Sequence, residues 1–314
     1  MPISEIRQMF YRLYNNSLSY FPIFSSTPFY KALSWADCYT RFPEWLQITP
    51  NPALLIKHLL NDERLLVRFI FYSFLPKRFN GAGFGRYPEQ LLQIQSWLSR
   101  RRNIPLRLLD AACGTGEGTW ELLELSAKTG LKPEQVTTEG WTLDPLEAWV
   151  AEKQVLPHEL ERGKNYKCRV SHLVEQGWGN RISFRAFNLL SERYDTTQFD
   201  LILCNGLLGG PIINQPEELL RVVRNLAAIL TPDGLLLIAD HFHSGWGKKD
   251  CRPAVERFLN EFGLDTDPAG EGIAAFRKHA DNNSFKLLIS GKTSLKTCLN
   301  TEQLRDREIK ITKK

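Results

Sequence analysis

A short apolar stretch that runs directly into a glycine loop constrains this chain more than any other feature. The stretch is Leu106–Asp110, the loop is AACGTGEG at 111–118, and a helical pattern follows over Thr119–Lys128. Glycine at positions 114 and 116 lets a ligand approach the backbone, because no side chain stands in its way. A strand, a glycine loop and a helix in this order predict an α/β sheet that binds a ligand at the carboxyl end of its first strand.

Short apolar runs alternate with helical patterns after residue 104, which is typical of a mostly parallel sheet. We predict strands at Leu106–Asp110, Val136–Thr142, Ile182–Phe187, Phe199–Cys204 and Leu235–Asp240. Helices are predicted at Thr119–Lys128, Leu146–Lys153, Glu217–Leu230 and Pro253–Phe262. Ile273–Lys278 and Phe285–Ser290 flank the turn-rich sequence ADNNS, and they predict an antiparallel hairpin that ends a seven-stranded sheet.

The charge of the glycine loop separates two kinds of nucleotide ligand. A dinucleotide fingerprint reads GxGxxG, whereas this loop reads GTGEG, with Glu117 before its last glycine and Asp110 at the end of the strand. Two carboxylates would repel a diphosphate and would attract the sulfonium and ammonium groups of S-adenosylmethionine. The loop therefore favours S-adenosylmethionine over a dinucleotide.

The loop also resembles the first motif of the class I S-adenosylmethionine-dependent methyltransferases, and it is most similar to the chemotaxis-receptor (CheR-type) enzymes. Three segments carry the resemblance: AACGTGEGTWEL at 111–122, FRAFNLL at 184–190 and FDLILC at 199–204. The resemblance extends over residues 84–240. It implies a Rossmann-like methyltransferase fold, S-adenosylmethionine as cofactor, and methyl transfer to a protein carboxylate or a small-molecule acceptor.

Matching the motifs of this family residue by residue implies a set of cofactor contacts. Glu117 would lie near the amino group of the methionine moiety, and Asn188 and Leu189 would lie beside the adenine. Arg86 would pair with the carboxylate of the ligand, and Asn205 stands where the receptor enzymes have an arginine. The loop and the strand before it add Asp110, Ala112, Gly114 and Gly116.

Two departures from the family pattern affect the expected site. Class I enzymes commonly hold the ribose hydroxyls with an acid at the end of the second strand, but this chain has Thr142 there and Asp144 two residues later. Either Asp144 takes that role or Thr142 makes a weaker, neutral hydrogen bond. Beyond Cys204 the receptor enzymes carry a tyrosine, whereas this chain reads NGLLGGPII. The acceptor side therefore differs from that of a receptor methylase.

Two histidines, His241 and His243, follow the predicted fifth strand at the edge where a methyl acceptor would lie. Either could act as a catalytic base for a protonated nucleophile, whereas a carboxylate acceptor needs no base. The alternative interpretation is a polar pocket wall or a surface loop. The sequence offers no third ligand near them, so no metal site is predicted.

Composition limits the remaining possibilities. The net charge of +5 is spread along 314 residues, so it does not indicate a nucleic-acid partner. Six scattered cysteines without a CxxC pair favour free thiols in a reducing compartment. Neither a signal peptide nor a membrane span is expected, and a cytoplasmic location is therefore predicted.

Three regions are expected along the chain. Residues 1–100 form a helical, aromatic-rich N-terminal region, 101–295 the Rossmann-like methyltransferase domain, and 296–314 a charged tail. The long connection 156–180 is either a shortened counterpart of the subdomain inserted in the receptor enzymes, with substrate contacts from Tyr166, His172 or Trp178, or a helical cover over the sheet.

Two functions stay open at this level. The first is an S-adenosylmethionine-dependent methyltransferase. The second is a catalytically silent regulatory protein that binds S-adenosylmethionine or S-adenosylhomocysteine. The oligomeric state is not indicated by the sequence.

Overall fold

The computed structural model describes residues 32–75, 83–191, 197–210, 212–240 and 251–277. A seven-stranded sheet lies at the centre of these residues. Its strands are β1 (Leu106–Asp110), β2 (Val136–Thr142), β3 (Ile182–Ala186), β4 (Phe199–Asn205), β5 (Leu230–Ala239), β6 (Leu264–Ala269) and β7 (Gly272–Arg277). The first five strands agree with the sequence predictions, apart from one residue at the ends of β3, β4 and β5 and an earlier start of β5.

The strand order is β3-β2-β1-β4-β5-β7-β6. Strands β1 to β5 are parallel, whereas β7 runs antiparallel to both β5 and β6. The chain therefore starts in the middle of the sheet, builds outward through β2 and β3, and returns to build outward through β4. Ligands bind at such a switch point, outside the carboxyl ends of the two central strands. The predicted seven-stranded α/β sheet, mostly parallel with an antiparallel end, is confirmed.

Helices connect the strands and also precede the sheet. They are α1 (Trp35–Thr40), α2 (Pro52–Asn61), α3 (Glu63–Phe74), α4 (Pro88–Ser99), α5 (Glu117–Lys128), α6 (Pro145–Lys153), α7 (Leu160–Glu175), α8 (Pro216–Ala228) and α9 (Cys251–Glu261). Proline stands at the start of α2, α4, α6 and α8, where its missing N–H costs no helical hydrogen bond. Within the described residues, no helix is long and apolar enough to cross a membrane.

The main core lies around β4 and β5. Ile202, Leu236 and Ile238 are fully buried there, and they pack with Val222 and Leu226 of α8. Central parallel strands are covered on both faces, so they read as continuous apolar runs such as FDLILC. Each such run removes several large side chains from water, which stabilises the fold by about 2 kcal/mol for each side chain.

The strand predicted at Ile273–Lys278 was assigned the wrong partner strand. β7 confirms the strand predicted at Ile273–Lys278, but its neighbours are β5 and β6. Both edges of β7 are therefore occupied, and the second strand predicted for the hairpin, Phe285–Ser290, lies outside the described residues. The sequence LDTDPA of β6 contains Pro268 and two aspartates, and such a strand is tolerated at a sheet edge.

The described helices before the sheet have a small core of their own. Phe42, Leu46, Leu55, Leu59 and Phe69 are buried together in it. From α3, Phe71 contacts the ring of Trp149 in α6, with 5.0 Å between ring centroids. The helices that precede the sheet are thus packed onto the helix that follows β2.

Candidate active site

Backbone hydrogen bonds, within the loop and to β2, hold the glycine loop after β1. Gly116 N–H donates to the carbonyl of Cys113 at 2.9 Å, and Cys113 N–H donates to the carbonyl of Trp141 at the end of β2. Gly116 has a φ of +89° and caps α5. A Cβ at Gly116 would lie 2.6 Å from the Cβ of Ala151, so the position requires glycine both for its φ and for its close packing.

Asp110 ends β1 directly beneath this loop. Its side chain is buried, and it accepts a hydrogen bond from Thr119 Oγ1 at 2.9 Å. Burial raises the pKa of Asp110 to about 6, although the hydrogen bonds from Thr119 and from the N–H of Ala112 act in the opposite direction. The predicted site residues Asp110 and Ala112 are therefore bonded to each other at the start of the loop.

Glu117, the acid of the loop, is paired with a residue that the sequence analysis did not identify. Its carboxylate is only 2% exposed and accepts hydrogen bonds from Thr115 Oγ1 and from Arg162 Nη2, each at 2.6 Å. Arg162 lies on α7 and also contacts Glu159 at 3.3 Å. In the sequence Glu117 stands as an unpaired acid of the loop, but in the structure Arg162 compensates its charge. The electrostatic preference for a cationic ligand is correspondingly weaker than the loop sequence implies.

The end of β2 carries a second acidic cluster. Thr142 Oγ1 donates to the carboxylate of Glu147, and Asp144 caps α6 by accepting a hydrogen bond from Leu146 N–H at 2.8 Å. Burial, and next the charge of Asp144, raise the pKa of Glu147 to about 7. Glu147 is an acid of this edge that the sequence analysis missed. Its place three residues after the helix cap is the usual signal of a capping box, and this signal could have found it.

Asn188 and Leu189 follow β3 and lie next to the end of β2. Phe187 N–H donates to the carbonyl of Thr142 at 2.7 Å, which fixes this connection. Asn188 Oδ1 accepts from Leu190 N–H at 2.9 Å, and the carbonyl of Leu189 accepts from Asn225 Nδ2 at 2.6 Å. The residues predicted for the adenine and for the ribose are thus neighbours at one edge of the sheet.

Arg86 and Asn205 lie at the ends of β4 and β5. A Cβ built at Gly206 would lie 3.7 Å from Arg86 Nη2. Burial lowers the pKa of Arg86, and the interactions with Tyr87 and Asp240 offset this only in part. Asn205 exchanges two hydrogen bonds with Gln90 of α4, at 2.6 and 3.2 Å. Gln90 could not be predicted from a local pattern, because the pairing joins residues 115 positions apart.

The structure places the described candidates along one edge of the sheet, at the carboxyl ends of β1 to β5. His241 and His243 lie outside the described residues. Among the residues that the structure does describe, no three histidine, cysteine or acidic side chains are grouped as a metal site. Such an edge, lined by a glycine loop and buried polar groups, is where an open α/β sheet binds its ligand.

No protein-family model matches this sequence. A curated relative is the probable biofilm formation methyltransferase WspC of Pseudomonas putida (strain KT2440). It is 26% identical over 185 residues, which cover 54% of this chain and 43% of the relative. The chain thus spans less than half the length of the curated relative that it matches.

Solved structures with low similarity were also found. A ribosomal protein L11 methylase from Lactobacillus delbrueckii subsp. bulgaricus is 21% identical, with a TM-score of 0.37 over 60% of this chain and 80% of that chain. The sugar N-methyltransferase KedS8 from Streptoalloteichus is 14% identical, with a TM-score of 0.42 over 62% of this chain and 89% of that one.

Proposed function

We propose that this chain is an S-adenosylmethionine-dependent methyltransferase. The observation that carries the proposal is the glycine loop at 111–118, which follows β1 at the switch point of the sheet. Asp110 lies beneath this loop, and Asp144 and Glu147 follow the neighbouring strand β2. The resemblance of the loop to class I methyltransferases and the partial similarity to a curated methyltransferase support the same function. A dinucleotide is disfavoured because the loop lacks the GxGxxG spacing.

The residues of this edge fit the groups of S-adenosylmethionine. Hydroxyl groups of a ribose are hydrogen-bond donors, and Glu147 and Asp144 offer carboxylate oxygens at the end of β2. The amino-acid end carries both charges: its carboxylate would pair with the guanidinium of Arg86, and its amino group would lie near Glu117 at the glycine loop. Asn188 and Leu189 would lie beside the adenine. When bound, the cofactor supplies an activated methyl group.

The contribution of the protein to methyl transfer is mainly alignment. The step is an in-line displacement, so the enzyme gains most by holding donor and nucleophile at close range. A carboxylate acceptor is already ionised at neutral pH and needs no base. An acceptor with a higher pKa needs one, and His241 or His243 would supply it.

The acceptor is either a protein carboxylate or a small molecule. The resemblance to the receptor methyltransferases favours the former. The Asn205–Gln90 amide pair, which stands where the receptor enzymes carry an arginine, favours a different acceptor pocket. Both classes therefore belong in the test.

A methylation assay tests the proposal. The full chain is incubated with labelled S-adenosylmethionine and either glutamate-containing protein extract or a metabolite extract, and release of S-adenosylhomocysteine is measured. We expect turnover with one of the two extracts. Binding of the cofactor without turnover would instead favour the catalytically silent regulatory protein, and absence of both would contradict the proposal.

A further inference from the structure

Helix α7 contacts the glycine loop through two side chains. Tyr166 donates its hydroxyl hydrogen to the carbonyl of Thr115 at 3.0 Å. Arg162 Nη2 donates to Thr115 Oγ1 at 3.1 Å and to Glu117 Oε1 at 2.6 Å. The carbonyl and hydroxyl of Thr115 and one carboxylate oxygen of Glu117 are thus bonded by one helix that lies outside the strand–loop–helix unit.

These contacts are buried and mutually dependent. Thr115 is fully buried, Glu117 and Tyr166 are each 2% exposed, and Thr115 Oγ1 itself donates to the remaining oxygen of Glu117. Charged hydrogen bonds in such surroundings are stronger than those at a surface. Removal of any one of these side chains would leave another buried polar group without a hydrogen-bond partner, which is costly. The network therefore keeps Thr115 and Glu117 in one conformation.

The same helix also contacts the segment that carries Arg86. The ring of Tyr166 packs edge-on against Phe84, with 5.6 Å between the centroids, and Gly85 N–H donates to Glu121, one turn after Glu117 on α5. Arg86 follows directly. Two segments that are far apart in the sequence, 83–87 and 114–117, are therefore held against the same two helices.

We propose that Arg162 and Tyr166 are positioning residues for the cofactor loop. They fix Thr115 and Glu117 in the arrangement that receives the amino-acid end of the cofactor, and they act through these two residues. Arg162 balances the charge of Glu117, so the loop keeps its acid buried without repelling its own neighbours. The proposal rests on the proposed function, because the ligand of the loop is taken to be S-adenosylmethionine.

The test measures the affinity of the full chain for S-adenosylhomocysteine by calorimetry. Arg162→Lys keeps the charge but loses the planar fork of the guanidinium, and Tyr166→Phe removes only the hydroxyl. We expect each substitution to weaken binding at least fivefold while the midpoint of thermal unfolding shows a folded protein. Lys167→Gln is the matched control on the same helix, because Lys167 is exposed, and we expect unchanged affinity.

A double-variant cycle separates positioning from general stability. If Arg162 acts through Glu117, Arg162→Lys costs no further affinity in a Glu117→Gln background. Additive losses, or affinities within twofold of the unmodified chain for both Arg162→Lys and Tyr166→Phe, would overturn the proposal. If the unmodified chain binds no S-adenosylhomocysteine, the proposed function itself is wrong, which is a different and recognisable outcome.

Discussion

Gly116 and Gly130 both have a left-handed backbone, but only Gly116 is closely packed. Alanine substitutions at the two positions therefore separate the energetic cost of close packing from that of the left-handed conformation. The φ angles of the two glycines are +89° and +86°, but a Cβ at Gly116 would meet Ala151 and Phe184, whereas nothing lies within 4 Å of one at Gly130. We expect Gly130→Ala to cost about 1 kcal/mol of unfolding free energy. Gly116→Ala should lower the unfolding free energy by roughly a further 1–3 kcal/mol, because its Cβ would overpack the contact with Ala151 and Phe184.

Urea unfolding of the two glycine variants measures this difference. Equal losses of unfolding free energy would show that the loop can move away from Ala151 and Phe184. In that case the tight packing described for the glycine loop would not constrain it.

Glu121 makes the stability of the chain depend on pH. Burial raises its pKa from 4.5 to about 7, against the hydrogen bond from Gly85. A raised pKa means that the folded state holds the proton longer, so this stabilisation is present below pH 4.5 and is lost as the pH rises to 7. Glu121→Gln should therefore gain about 3 kcal/mol of unfolding free energy relative to the unmodified chain over that range.

Denaturant unfolding of the Glu121→Gln variant at several pH values between 4.5 and 8 tests this prediction. Glu124→Gln is the control with the opposite sign. Burial acts to raise the pKa of Glu124, but Lys128 and Arg169 together lower it. The Glu124→Gln variant should therefore lose more unfolding free energy at high pH than at low pH. If the unfolding free energy gained by Glu121→Gln does not change with pH, burial does not raise the pKa of Glu121.

At this scale, the sequence predicted the residues of local motifs but not their partners. Gly114, Gly116 and Asp110 belong to one strand–loop–helix pattern and are visible without a structure. Arg162 and Gln90 act on residues 45 and 115 positions away. No local period records such a pairing, because it depends on how separate elements pack.

Among the elements, α3 joins the N-terminal helices to the sheet domain through Phe71. This ring is 5% exposed and packs on Trp149 and on His158. We expect Phe71→Ala to cost about 3–4 kcal/mol of unfolding free energy, because it leaves a cavity between α3 and α6. Leu54→Ala on α2 is the control, since Leu54 is 48% exposed and should cost little.

Chemical unfolding of the two variants measures both free energies. A loss at Phe71→Ala no greater than that at Leu54→Ala would mean that the contact between α3 and α6 adds nothing to stability. The N-terminal helices would then be attached only loosely to the sheet domain.

The central strands β1, β2, β4 and β5 were predicted from their buried apolar residues, whereas the polar edge strand β6 was not predicted. β4 contains the apolar run LILC at 201–204, because β1 and β5 pair with its two edges and both faces of a central parallel strand are covered. β6 reads LDTDPA and has no apolar period, so the sequence analysis passed over it and assigned the wrong partner to β7. Strand pairing at a polar sheet edge is decided by the neighbouring strand, which a local pattern does not contain.

For the molecule as a whole, the order of its strands matters more than any single motif. The arrangement β3-β2-β1-β4-β5 brings the ends of β1 and β4 together, and the predicted cofactor residues from five separate segments lie along that edge. The fold was therefore predictable from the alternation of strands and helices. The acceptor side was not, because it depends on loops that share no pattern with the receptor enzymes.

Calorimetric titration of the full chain with S-adenosylhomocysteine tests the central claim most directly. The proposed function predicts one site with a dissociation constant of about 1–100 µM, which corresponds to roughly −8 to −5 kcal/mol. Nicotinamide adenine dinucleotide, titrated in the same way, should give no heat of binding. No binding of S-adenosylhomocysteine at concentrations up to about 1 mM, or tighter binding of the dinucleotide, would contradict the account.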